Sequence, residues 1–324
     1  MANREEQVII RAARAGQASA QLALGKCYLF GSAGLPKNSA AALYWLDRAA
    51  HQNESDAWLL IGTYVSFEAA QQAPRPLTLC VWYERAFDDG VAQAGLVLAK
   101  LLLMHSDSAV HDCIRDKAMT ALKGAAHAGI ADAQWLLAQE FGHAGGIGTN
   151  KISESECLKW ATHAANAGVR PAQHALAAYS WGVSDCAAFL HWSLPLARAL
   201  VAHQSTSDAA THRLRSEDVL LLSRCARALF STTDFDANEL ERFWQLAAQA
   251  GDKNAQLSLG LWCAKMNTNG TRIANAPRVI NYKKAIHWLK MAGEQGVVEA
   301  WYVLSKIFFK LESKKLSVGE LQHQ

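Results

Sequence analysis

A chain of 324 residues, 51% of them apolar, is long enough for two ordinary domains or for an extended repeat array without a single central core. Its 32 basic and 29 acidic side chains are spread along the chain and leave a net charge of only +3, which excludes a strong polyanion-binding field, so no nucleic-acid partner is expected. Seven cysteines (Cys27, Cys80, Cys113, Cys157, Cys186, Cys225 and Cys263) form no CxxC pair, which argues against a disulfide framework and a zinc centre and for reduced thiols packed as small hydrophobes.

The N-terminal stretch from Met1 to Gly16 carries two glutamates before its few apolar residues and does not read as a signal peptide. The longest apolar region, Val91 to Met104, is interrupted by Gln93 and Lys100 and is too short to span a bilayer. No direct membrane insertion is expected, and the expected compartment is the cytoplasm.

Residues Glu5 to Ala15 read as a helix that ends at Gly16, and the segment from Gly16 to Asn53 then reads as two helices joined by a glycine-rich turn. Sliding the chain by 37 residues places Ala20, Leu24 and Gly25 on Ala57, Ile61 and Gly62, and Trp45 and Ala49 on Trp82 and Ala86. That self-similarity signals a repeat array. Its ruler is the residue that ends each second helix: Gly16, Asn53, Gly90, Gly129, Gly168, Gly251 and Gly296. Glycine and asparagine tolerate the left-handed conformation that stops a helix.

Four residues past each stop stands an alanine (Ala20, Ala57, Ala94, Ala133, Ala172, Ala255, Ala300), and eight past it a branched aliphatic (Leu24, Ile61, Leu98, Leu137, Leu176, Leu259, Leu304). These spacings keep one helical face inward. Four residues before the stop the second helix has Ala49, Ala86, Ala125, Ala164, Ala247 or Ala292, and eight before it Trp45, Trp82, Trp160, Phe243 or Trp288. Breakers between the helices include Gly31, Gly34 and Pro36, Pro74 and Pro76, Gly142 to Gly148, and Gly270 with Pro277. The period lapses at His105–Asp112 and again after Trp192, whose position implies a stop near Leu200 where no glycine stands. The expected organisation is a run of repeats over 1–200, an insertion or irregular connector over 201–215, a second run with a capping helix over 216–312, and a flexible tail over 313–324.

Ala18 to Gly31 with Ala42 to Ala50, and Asn254 to Cys263 with Lys284 to Ala292, resemble the Sel-1-like repeat family, relatives of tetratricopeptide repeats. The resemblance implies an all-α, right-handed superhelical solenoid of about seven hairpins, with two half-repeats as caps and with first helices lining a concave surface. It also implies a bacterial adaptor for a protein or peptide partner, serving a secretion or envelope-assembly system; with no Gly-x-Ser-x-Gly, His-Glu-x-x-His or comparable nucleophile arrangement in the sequence, neither an enzyme nor a cofactor protein is expected. Residues carried over to the groove by position are Leu22, Lys26, Phe30, Leu59, Thr63, Phe67, Lys100, Leu103, Met104, Trp135, Gln139, His143, His174, Trp181, Leu261 and Lys265. Their apolar and aromatic character suits an amphipathic helix or an extended apolar peptide, although apolar patterning alone does not separate groove residues from packed ones. Two alternatives stay open: a binder or weak hydrolase of cell-wall fragments or β-lactam-like molecules, by analogy with relatives whose paired cysteines this chain lacks, and a subunit that assembles with itself.

Three other features have plainer explanations. His105, His111 and Cys113 lack a fourth ligand and a zinc-like spacing, so no metal is expected there. Gly145 to Gly148 follows no strand and precedes no Gly-Lys-Ser/Thr, so an interhelical turn is expected in place of a phosphate cradle. His51, His127 and His163 lie near the ends of second helices, where a positive charge complements the helix dipole.

Overall fold

The computed structural model describes residues 4–32, 34–104, 112–143, 151–206, 214–232, 235–267 and 280–321. Seventeen α-helices, and no strand, occur among the described residues. The chain divides into two units, Met1–Ala172 and Gln173–Gln324, with the division falling inside one helix.

The first unit starts with α1 (Arg4–Arg14) and continues as helix pairs: α2 (Ala18–Phe30) with α3 (Ser39–Ala50), α4 (Ser55–Tyr64) with α6 (Cys80–Asp88), α7 (Ala92–Met104) with α8 (Asp112–His127), and α9 (Ala131–His143) with α10 (Lys151–Asn166). Between α4 and α6 lie the short α5 (Phe67–Gln71) and a 3₁₀ turn at Pro76–Leu79. The division falls in α11 (Arg170–Gly182). The second unit goes on with α12 (Cys186–Thr206), α13 (Ser216–Phe230), α14 (Ala237–Gln249), α15 (Lys253–Ala264), α16 (Tyr282–Glu294) and α17 (Val298–Leu321). Each unit is a run of helical repeats.

All seven ruler residues have positive φ, from 64° at Asn53 to 98° at Gly251. The stop also satisfies orphaned carbonyls, which is why it recurs. The amide after the stop donates to the carbonyl of the alanine four residues before it: Val91 to Ala86 at 2.9 Å, Ile130 to Ala125 at 3.1 Å, Asp252 to Ala247 at 3.0 Å and Val297 to Ala292 at 3.1 Å. The chain then re-enters a helix at a fixed angle.

The face predicted to turn inward does so. From Leu24 to Leu304, every aliphatic eight residues past a stop is buried, as are the alanines four past it, with half-buried Ala20 the exception. One residue further on the helices nearly touch. A Cβ on Gly25 would stand 2.7 Å from Leu46, one on Gly260 2.6 Å from Leu289, and one on Gly62 2.5 Å from the Ala86 Cβ and 3.0 Å from the Ala94 Cβ. Of the aromatics eight before the stop, Trp82, Trp160 and Phe243 are buried, and Trp45 and Trp288 are half-buried.

A polar clamp escapes the hydrophobic pattern. Buried Gln21, Gln134 and Gln256, each five past a stop, donate from Nε2 to the carbonyls of Ala13, Ala126 and Ala248 at 3.2, 3.1 and 3.1 Å. In two repeats the next stop supplies a second glutamine: Gln52 donates to Gln21 Oε1 at 2.8 Å, and Gln295 to Gln256 Oε1 at 2.9 Å. Burying an amide is tolerable only when it is paired in this way. Second helices start at side-chain caps, Asn38 accepting from the Ala41 amide and Asn281 from the Lys284 amide. The Asn38 and Asn281 amides tie back to the carbonyls of Tyr28 and Cys263 in the preceding first helix.

The two lapses in the period differ. Residues 105–111 lie outside the described residues, as do 207–213, 144–150 and 268–279, and with them most of Gly142–Gly148, Gly270 and Pro277. Near Leu200 the helix does not stop: α12 runs 21 residues to Thr206 through Pro195, there being no residue at Leu200 suited to the left-handed conformation. At the C-terminal end α17 remains helical to Leu321.

Gly62→Ala is expected to destabilise the protein by about 1–3 kcal/mol in urea unfolding, since neither the Ala86 nor the Ala94 methyl can give way without moving a backbone. Gly182→Ala, where an added Cβ meets nothing within 4 Å, is expected to be neutral or stabilising by up to about 1 kcal/mol.

Candidate functional site

In the first unit the residues carried over from the pattern lie along successive first helices. On α2, Leu22 and Lys26 are half-buried, and Phe30 is 53% exposed. On α4, Leu59 is half-buried and Thr63 is exposed, its hydroxyl donating to the Leu59 carbonyl at 2.7 Å. Lys100 and Leu103 on α7 are half-buried and Met104 is exposed; on α9, Trp135 and Gln139 are half-buried. His143 is the last residue of α9, and its side chain lies outside the described set.

Two contacts join this row. The Phe30 and Tyr64 rings meet edge to face, centroids 5.0 Å apart, while both stay more than half exposed. Below them Lys26 Nζ pairs with Asp56 Oδ2 at 3.2 Å. Tyr64 was missed by the periodic reading because α4 ends there: Val65 and Ser66 are extended, and Ser66 caps the short α5. Phe67, carried over as a continuation of α4, instead opens α5 and lies half-buried beneath the Lys100 ammonium, 5.5 Å from its ring centroid. The signal that could have found this is the Ser66-x-x-Ala69 cap, with the Ala69 amide 3.4 Å from Ser66 Oγ. The Glu68 carboxyl is held below its usual range by a backbone hydrogen bond at this helix start, by the Ser66 hydroxyl and more weakly by Lys100.

In the second unit His174 and Trp181 are half-buried. His174 Nε2 stands 3.7 Å from Oδ1 of the buried Asp218, whose Oδ2 lies 3.5 Å from Arg215 Nε. Trp181 packs edge-on to Phe189 at 5.0 Å and carries the Arg224 guanidinium at 5.4 Å. Ser180, Trp181, Ser184, Asp185, Cys186 and Phe189 line a recess of about 220 Å³. Leu261 and Lys265 are not surface residues. Leu261 is part of the core, and Lys265 is buried because α15 ends at Ala264: Lys265, at φ 55°, is its left-handed cap, not a further position on its face.

The histidines near second-helix ends have a role beyond the helix dipole. His51 meets Trp82 edge to face at 4.9 Å, and His127 meets Trp160 in the same way at 5.0 Å. Each joins the residue two before one stop to the tryptophan eight before the next. Trp82 also donates to Asp47 at 2.7 Å and stacks on Trp58, and Arg85 lies 5.2 Å from both rings. These aromatics are interfaces between repeats.

Burial pushes the thiols of Cys80, Cys225 and Cys263 up from the ordinary 9.0 to about 11, so they are poor nucleophiles. Among the described residues no three His, Cys, Asp or Glu side chains are placed to hold a metal ion. His105 and His111, drawn with Cys113 as metal ligands, and Gly145–Gly148 lie outside the described residues; Cys113 is exposed. Among the described residues no helix is long and apolar enough to cross a membrane.

A row of helical hairpins with a recurring left-handed stop defines a helical-repeat protein of the tetratricopeptide-like class. Three segments of the chain match the Sel1 repeat model: residues 18–54, 131–169 and 254–297. These are the first, fourth and seventh helix pairs, where stop, alanine and aromatic coincide. In fold it is similar to a protective antigen present in uropathogenic Escherichia coli strains and displaying an SLR fold, with 19% identity and a TM-score of 0.51 over 94% of this chain and 67% of that one. A Sel1 repeat protein from Oxalobacter formigenes is 25% identical over 93% of this chain and 79% of its own, with a TM-score of 0.46. No curated protein matches the chain. Sel1-repeat proteins are generally scaffolds for protein interactions and generally not catalysts.

In the native protein a thiol reagent at pH 8 is expected to modify exposed Cys113 and Cys186 first, and Cys225 and Cys263 only on unfolding. The raised thiols also set a sign for pH. Between about pH 9 and 11 the unfolded chain loses thiol protons that the folded chain keeps, so stability falls across that window. Replacing Cys80, Cys225 and Cys263 by alanine should flatten that part of a denaturation profile.

Proposed function

We propose that the chain is an interaction scaffold whose first unit holds an amphipathic helix or extended apolar segment of a partner protein along its first helices. The observation that carries this reading is the Phe30–Tyr64 pair, two rings held edge to face yet more than half exposed. Exposed aromatics fixed by a neighbour make good anchors, because little side-chain freedom is lost when a partner covers them. Met104 continues the apolar surface, and Lys26, Asp56 and Lys100 give it a mixed polar edge suited to orienting the segment. Leu22, Leu59, Thr63, Trp135 and Gln139 belong to the same proposed row; Leu261 and Lys265 are left out because they are buried. We assign no catalytic role. The free state of all seven cysteines favours a reducing compartment, which we take to be the cytoplasm. Service to a bacterial secretion or envelope-assembly system rests on the family resemblance alone.

The test is a library of displayed amphipathic helical peptides selected on the wild-type protein. Phe30→Asp with Tyr64→Asp is expected to weaken the selected peptides at least tenfold, about 1.4 kcal/mol, while helical circular dichroism is unchanged. Undiminished binding would move the site away from this row.

A further inference from the structure

By its spacing α17 is a first helix: Ala300, Leu304 and Ser305 stand four, eight and nine residues past the Gly296 stop. In the complete repeats the ninth position faces the hairpin's own second helix, as the contacts of Gly25 with Leu46, Gly62 with Ala86 and Gly260 with Leu289 show. In α17 that position, Ser305, is exposed. At 3.6 residues per turn, the apolar residues within about 60° of it, from Val298 as far as exposed Glu312 on the same face, are Val298, Trp301, Tyr302, Phe308 and Phe309. They are 75, 48, 48, 50 and 73% exposed. The opposite side, with Ala300, Val303, Leu304 and Ile307, is buried where α17 packs on α16 and α15. A helix apolar on both sides is built to be covered on both.

The other end of the register offers the reciprocal face. α1 is a second helix by its spacing to Gly16: Ile9 stands where Leu46 and Leu289 stand, Ala12 where Ala86 stands, and Val8 where Trp82 stands. Leu46, Leu289 and Ala86 are fully buried, whereas Ile9 and Ala12 are only half-buried and Val8 is 61% exposed.

We propose that a second copy of this chain covers α17 with its α1, so that Ile9 and Ala12 close over Ser305, Val8 lies toward Phe309, and one repeat is completed across two molecules. The charges agree with the antiparallel direction that a hairpin imposes. Arg11 and Arg14, at the C-terminal end of α1, then approach exposed Glu294 and Glu299. The contact is heterologous, using a different face of each copy.

Light scattering over a concentration series tests it. The weight-average mass of the wild-type chain is expected to at least double with concentration. Val8→Asp and Phe309→Asp, both at exposed positions and each with unchanged circular dichroism, are each expected to stay monomeric alone. Mixed one to one they should form a dimer, since the first retains an intact α17 face and the second an intact α1 face. A wild type that stays monomeric at every concentration, a Val8→Asp protein that associates like wild type, or a mixture that stays monomeric overturns the proposal.

Discussion

One residue in the left-handed conformation at the end of each second helix carries the rest of the architecture. From that residue the following amide reaches back to the carbonyl of the alanine four before the stop, and the chain must leave at an angle that brings the next first helix against the second helix just completed. The alanine is therefore held twice. Its carbonyl accepts the bond that closes the helix, and its methyl occupies a contact where Gly62, for one, leaves no room for a Cβ. Such packing suits a repeat in which each hairpin finds its core only in its neighbours.

Interfaces between repeats add polar and aromatic specificity to this frame. The buried glutamine five past the stop reads the backbone of the previous second helix, and where a second glutamine precedes the next stop the two form a ladder. Histidine against tryptophan does comparable work on the second helices. Large apolar side chains that stay exposed include Val8, Phe30, Tyr44, Tyr64 and Met104 in the first unit and the outer face of α17 in the second.

The sequence made the hairpins legible because stop, alanine and aliphatic recur at fixed offsets, and each offset has a steric cause. It read the surface less well, for reasons visible in particular residues. Carrying a position forward assumes that every first helix has the same length. α4 ends at Tyr64 and α15 at Ala264, so Phe67 opens a new helix and Lys265 becomes a buried cap. Hydrophobic periodicity is also blind to polar groups that are buried by being paired, and the glutamine clamps escaped it although Ala-Gln recurs at Ala20-Gln21, Ala133-Gln134 and Ala255-Gln256. Trp192 illustrates the converse: an aromatic in phase implies no stop where the stop residue itself is missing, and α12 runs on to Thr206.

The most direct test of this account is native-state hydrogen exchange at the amides that follow the stops, those of Gln17, Glu54, Val91, Ile130, Val169, Asp252 and Val297. If the left-handed stop with its back-bonded alanine carbonyl organises each repeat, these amides should exchange far more slowly than in the unfolded chain and as a class more slowly than amides in the first turn of the helix that follows. Exchange at unfolded-chain rates across these positions would contradict it.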